Sequence, residues 1–162
     1  MDRVKEAIFS SLQEIVPGAR VLDLFAGTGG LGIEALSRGA QAATFVESHA
    51  PTAECLRKNL TRTHLRGEVH VMDVFSYLDR MAPLGGFDLI FADPPYAKAA
   101  GERDFGSELV GSQSLLRALA PGGIFILEHL PTVPLPERKE WECIRDKRYG
   151  ATAVAFLRAA HS

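Results

Sequence analysis

Apolar residues recur along this chain with two alternating rhythms. Val4, Ile8, Leu12 and Ile15, with Phe9 beside them, keep helical spacing over residues 2–15, and Pro17-Gly18 stops that helix. Val21 to Phe25 is a short apolar run that ends in a glycine-rich turn. Leu31 to Ser37 follows as an amphipathic stretch, which reads as strand, tight loop, helix. Residues 42–46 read as a second strand ending at Glu47. Residues 51–63 put Ala53, Leu56 and Leu60 on one helical face. Val69 to Met72 is a short third strand ending at Asp73, and Phe75 to Met81 a short helix. Phe87 to Ala92 is a fourth strand, apolar apart from Asp88, and residues 97–106 form a loop. Leu109 to Leu119 is a helix ended by Pro121-Gly122-Gly123. Ile124 to Leu127 is a fifth strand with Glu128 at its end. After a proline-marked loop, Trp141 to Arg145 and Ala153 to Leu157 are two closing strands.

Strands alternating with helices indicate an α/β fold with a doubly wound, mostly parallel sheet. Runs such as Leu89 to Ala92 and Ile124 to Leu127 suit burial on both faces. Ligands in such sheets bind beyond the carboxyl ends of the strands. The first four strands each place an acid at or near that end: Asp23, Glu47, Asp73 and Asp93. A lone acid there is explained by solubility or a helix cap. Four in succession beside a glycine loop point to one polar ligand site.

The loop Gly27-Thr28-Gly29-Gly30-Leu31-Gly32 matches the dinucleotide pattern G-x-G-x-x-G, a weak signal alone. Its glycines permit unusual backbone angles and leave N–H groups open to a ligand. Asp23, a carboxylate in an apolar strand, is costly to bury without a partner. It would repel the pyrophosphate of NAD and attract an amino group, which favours S-adenosylmethionine. Glu47 stands at the distance from the loop at which an acid takes ribose hydroxyls. Asp73 suits an adenine amine, or simply caps the helix that starts near Phe75.

Asp93-Pro94-Pro95-Tyr96 is the second specific signal. The prolines fix φ and remove two donors, so the segment presents acceptors only: the Asp93 carboxylate and the Pro94 carbonyl. Tyr96 adds a stacking surface. Together they suit a planar base with an exocyclic amine. The two acceptors direct the nitrogen lone pair at a methyl group.

The chain has 162 residues, enough for one domain spanning 1–162. Its 46% hydrophobic and 23% charged residues are ordinary for a globular protein. No run is long enough to cross a bilayer, so no membrane partner is expected. The charged opening Met-Asp-Arg-Val-Lys-Glu does not read as a secretory signal, and a cytoplasmic location is expected. Cys55 and Cys143 show no metal or redox spacing and are expected as buried thiols. The histidines lack ligand spacing, and no metal is expected. Asn59 and Trp141 are expected to be structural. Net charge is −2, so local clusters must carry any nucleic-acid contact. Arg3, Lys5, Arg145, Lys147 and Arg148 are candidates. Lys98 and Arg103 follow the Asp93 motif on a loop that could close over substrate.

Asp23-Leu24-Phe25-Ala26-Gly27-Thr28-Gly29 followed by Asp93-Pro94-Pro95-Tyr96 resembles a class I S-adenosylmethionine-dependent N-methyltransferase with a Rossmann-like fold. With Asp2 to Phe9, Gly30 to Ala40 and Tyr149-Gly150, most of the chain resembles the bacterial RsmD family, small-subunit 16S ribosomal RNA guanine-N2 methyltransferases. The resemblance implies a seven-stranded sheet with its last strand antiparallel. It implies Asp23 and the loop Phe25, Ala26, Gly27, Thr28 and Gly29 at the methionine part of S-adenosylmethionine. Glu47 with Ser48 belongs at the ribose, Asp73 with Val74 at the adenine, and Asp93, Pro94, Pro95 and Tyr96 at the target base. It also implies ribosomal RNA as partner, within a small-subunit particle, and a monomer is favoured. Family members carry a basic N-terminal β-hairpin arm before the stretch matching Asp2 to Phe9. This chain begins at Met1, where that arm would already have ended.

Three other readings compete. A DNA adenine-N6 methyltransferase fits the Asp93 motif but needs a target-recognition domain. An NAD-dependent oxidoreductase fits the glycine pattern but conflicts with Asp23. A non-catalytic RNA-binding module leaves the motifs unexplained.

Overall fold

The computed structural model describes residues 2–97, 99 and 101–160. In chain order the elements are α1 (Arg3–Ser11), β1 (Arg20–Leu24), α2 (Gly30–Ser37), β2 (Ala42–Val46), α3 (Ala50–Arg62), β3 (Glu68–His70) and α4 (Val74–Arg80). They continue as β4 (Phe87–Ala92), α5 (Phe105–Val110), α6 (Gln113–Ala118), β5 (Leu119–His129), β6 (Trp141–Tyr149) and β7 (Thr152–Ala159). The strands form one seven-stranded sheet in the order β3-β2-β1-β4-β5-β7-β6. All neighbours from β3 to β5 are parallel, and β7 runs antiparallel to both β5 and β6. From β1 the chain winds outward through β2 to β3, then returns to β4 on the other side. The connections therefore diverge above the carboxyl ends of β1 and β4, where a crevice opens.

Strand alternation divides the core into two layers. Leu22, Leu24, Ile90, Phe125 and Leu127 pack under α4, α5 and α6 with Tyr77, Leu109 and Leu115. Val21, Leu89, Phe91 and Ile126 pack under α1, α2 and α3 with Phe9, Phe45, Leu56 and Leu60. Burial of each such large side chain contributes about 1.5–3 kcal/mol.

Several boundaries differ from expectation for local reasons. The first helix ends at Ser11, and Val16, 1% exposed, fills the core position expected for Ile15, which is 44% exposed. In place of one helix from Leu109 to Leu119, α5 already begins at Phe105, inside the stretch expected as loop, and ends at Val110, and α6 follows from Gln113. Ser112 divides the two by accepting from Leu115 N–H, a new N-cap, while Asp104 caps α5 from Ser107 N–H. Pro121-Gly122-Gly123 lies inside β5 as an irregularity against β4, with Gly122 at φ 77°. The third strand stops at His70, short of Met72. β6 runs on to Tyr149 through a charged stretch with no apolar alternation, because it is an edge strand exposed along most of its length. That position also exposes Cys143. Cys55 is exposed too, on the side of α3 away from Ala53, Leu56 and Leu60, so the expectation of buried thiols fails for both. Among the described residues no helix is long and apolar enough to cross a membrane.

Two glycines of α2 separate packing from openness. A Cβ on Gly32 would stand 2.3 Å from the buried Phe45 ring, whereas one on Gly30 would meet nothing within 4 Å. Gly32→Ala is therefore expected to lower stability by about 1–3 kcal/mol through overpacking. Gly30→Ala should leave stability unchanged or slightly raised. Thermal melting of the two variants checks the contrast, and equal midpoints would contradict it.

Candidate active site

The loop after β1 is held by its own backbone and by two acids. Phe25 adopts φ 54°, Gly27 φ 59° and Gly29 φ 93°. A left-handed Phe is uncommon. Here its ring packs against Phe105, with centroids 5.3 Å apart. Glu47 accepts from Gly27 N–H at 2.9 Å through one oxygen and from His49 N–H at 2.8 Å through the other. Asp23, only 2% exposed, accepts from Gly32 N–H at 2.9 Å. Gly29 offers α2 no side-chain cap, so Asp23 supplies one from the strand below. Gly29 also makes room for Leu56, whose Cδ1 would lie 2.2 Å from a Cβ there. Thr28 faces an outer groove, where its carbonyl accepts from Asn59. The Trp141 indole donates to the Val110 carbonyl.

A cavity of about 720 Å³ opens above the strand ends. One end is lined by Glu47, Ser48, Asp73, Val74 and Arg103, with Phe25 and Phe105 in its wall. The Asp73 carboxylate caps α4, accepting from Ser76 N–H at 3.0 Å. The Arg103 guanidinium lies 4.9 Å from the Phe75 ring centroid and 4.7 Å from that of Phe105, and pairs with Glu108 at 2.7 Å. Arg103 is thus pinned at the Asp73 end, away from Tyr96. Lys98 lies outside the described residues.

The other end is lined by Asp93, Pro94, Pro95 and Tyr96, joined by Asp2, Glu128 and Thr152. The Tyr96 hydroxyl is hydrogen-bonded to the Thr152 hydroxyl, which fixes the ring. Burial raises the Tyr96 phenol above its usual range. Asp93 and Glu128 line this end together, each one residue beyond the register partners Ala92 and Leu127. Burial raises Asp93. Burial, then the fields of Asp93 and Asp2, pushes Glu128 up to about 8. An adjoining cavity of about 220 Å³ is lined by Asp2, Lys5, Asp23, Ala26, Asp93 and Glu128, among others. Burial, opposed by the Gly32 N–H and reinforced by Asp93 and Glu47, pushes Asp23 up to about 8.

The structure therefore gathers Asp23, Phe25, Ala26, Glu47, Ser48, Asp73, Val74, Arg103 and the whole Asp93–Tyr96 segment around two adjoining cavities. Sequence reasoning missed Asp2, Thr152, Phe105 and Glu128 as wall residues. For Glu128 the signal was present, since it ends the fifth strand as the other acids end theirs. On the nearby edge strand, Arg145, Lys147 and Arg148 are exposed and have no carboxylate partner among the described residues.

Residues 1–158 match the family described as Conserved hypothetical protein 95. The chain belongs to this family. Ribosomal RNA small subunit methyltransferase D of Escherichia coli K12 is 33% identical over 159 residues, covering 94% of this chain and 74% of that protein. A solved structure of a conserved hypothetical protein of Streptococcus pyogenes is similar, with a TM-score of 0.79 and 32% identity over 97% of this chain and 95% of that one. SMU.776, solved complexed with SAH, shares the fold at a TM-score of 0.76 and 18% identity, over 97% of this chain and 50% of that one.

In this family member the acids set the pH response of the fold. Asp23 and Glu128 keep protons up to about pH 8 when folded. In the unfolded chain they lose them near pH 4. The folded state thus binds more protons between about pH 4 and 8, and stability falls as pH rises through that window. Asp88, held low by Arg20, titrates beneath it. Melting temperature is expected to decline from about pH 5.5 to 8.5, and Glu128→Gln should flatten the decline. A wild-type midpoint that rises over that range would contradict the assignment.

Proposed function

We propose that this chain transfers a methyl group from S-adenosylmethionine to the exocyclic N2 of a guanine in 16S ribosomal RNA, in a small-subunit particle in the cytoplasm. The observation that carries the reading is the placement of Asp93-Pro94-Pro95-Tyr96 in the wall of the cavity that also holds Glu47 and Asp73. An acceptor-only segment with a fixed aromatic ring faces the same space as the acids suited to a nucleoside. The methyltransferase D name of the relative in Escherichia coli supports the reaction and the RNA.

The residues present fit S-adenosylmethionine. Each Glu47 oxygen keeps a lone pair beyond its backbone bond, which suits a vicinal diol. Asp73 and Val74 flank the aromatic end, where an adenine fits beside Phe25 and Phe105. Asp23, Asp93 and Glu128 line the smaller cavity together with Lys5, which suits the ammonium and the carboxylate of a zwitterionic amino acid tail. Bound there, the molecule supplies an electrophilic methyl on a sulfonium.

The chain's own residues would then position the amine. Tyr96, braced by Thr152, stacks the base. The Asp93 carboxylate and the Pro94 carbonyl accept its two amine hydrogens and turn the nitrogen lone pair towards the methyl. As the N–C bond forms, the S–C bond breaks, and the proton shed by nitrogen passes to Asp93 or to water. Position and a fixed negative field do most of the work. Lys147 and Arg148 lie just before the β6–β7 turn, where Tyr149 pairs with Thr152, and Arg145 reaches back to Ser11 of α1; these exposed cations suit the phosphates of an RNA strand.

Asp93→Ala is expected to keep S-adenosylmethionine binding by calorimetry while turnover falls about 100-fold or more. Turnover within a few-fold of wild type would sink the role assigned to this segment.

A further inference from the structure

The carboxyl of Glu128 is not needed to hold the exocyclic amine, which Asp93 and the Pro94 carbonyl already serve. Its position is nevertheless specific. Ala92 on β4 pairs in register with Leu127 on β5, so Asp93 and Glu128 are the next residues on adjacent parallel strands. Both side chains line the cavity beside Pro94, Tyr96 and Thr152. Among the described residues neither carboxyl has a Lys or Arg partner within ion-pair distance. Two acceptors at the ends of adjacent strands, which lie about 4.8 Å apart, suit two neighbouring N–H donors on one edge of a planar ring.

Guanine and adenine differ at this point. The exocyclic amine of guanine adjoins N1–H, a second donor. The exocyclic amine of adenine adjoins N1, an acceptor. We propose that Glu128 accepts the N1–H of the target guanine beside Asp93, and so sets the preference of this site for guanine over adenine. This rests on the reading of the cavity as a base-binding site. Above about pH 8, where Glu128 is ionised, its carboxylate set against the N1 lone pair of adenine is left buried and unpaired, which is strongly disfavoured. The same geometry explains why two carboxyls stand together without a cation. The two donors of guanine satisfy both.

The test varies the base and the residue together. Substrate RNA is prepared with guanine or 2-aminopurine at the position that the wild type methylates. 2-Aminopurine keeps the 2-amine but has no hydrogen on N1. At about pH 8.5 to 9, where Glu128 is ionised, wild type should prefer guanine by about 100-fold or more in kcat/KM, since a site built for a donor rejects an analogue that lacks it. In Glu128→Ala that preference should collapse to within a few-fold. Glu128→Gln, which retains an acceptor oxygen, should restore much of it. Calorimetry with S-adenosylmethionine and a melting curve confirm that each variant is folded. A Glu128→Ala preference equal to that of wild type, or equal losses on both substrates, would overturn the role of Glu128 alone. A wild type that methylates no guanine at N2 would overturn the reading of the site and this inference with it.

Discussion

Three carboxyl groups converge where the sheet changes direction. Asp23, Asp93 and Glu128 belong to the ends of β1, β4 and β5, which are neighbours in the sheet, and burial raises all three. Like charges in a low dielectric cannot all ionise, so the free site holds protons instead. The Gly32 N–H relieves only part of the strain at Asp23. What would relieve the rest is positive charge or hydrogen-bond donors from outside the chain. That demand, built into the strand ends, selects a cationic nucleoside on one side and a donor-rich base edge on the other.

The surrounding structure keeps those acids in place. The glycine loop is tied down twice, by Glu47 at Gly27 and by Asp23 at Gly32. Gly32 lets α2 settle on Phe45, and Gly29 admits Leu56, so the loop is anchored through packing as well as hydrogen bonds. The Tyr96 ring is braced from β7 through Thr152. A strand near the end of the chain therefore supports a motif near its middle, which is why the antiparallel closing strand belongs to the site as well as to the sheet.

Much of this was legible along the chain. Buried parallel strands are nearly uniform apolar runs, and β2 and β4 match their expected bounds. The acids at strand ends were visible because a charge that interrupts or ends an apolar run is conspicuous. The split between α5 and α6 was hidden, because Ser112 reads as an ordinary helix residue until its side chain is seen to cap Leu115. The length of β6 was hidden because an edge strand need not alternate. Thr152 and Phe105 were hidden because partnership across the fold leaves no local trace. Asp73 caps α4, one of the two roles its position suggests, and Glu47, which the sequence points to as a ligand acid, also holds two backbone N–H groups.

The most direct measurement is the identity of the methylated nucleoside. The protein would be incubated with methyl-labelled S-adenosylmethionine and small-subunit particles lacking the modification, and the RNA digested and separated. The account predicts label in N2-methylguanosine. Label in N6-methyladenosine, or no label while S-adenosylmethionine binds, would contradict it.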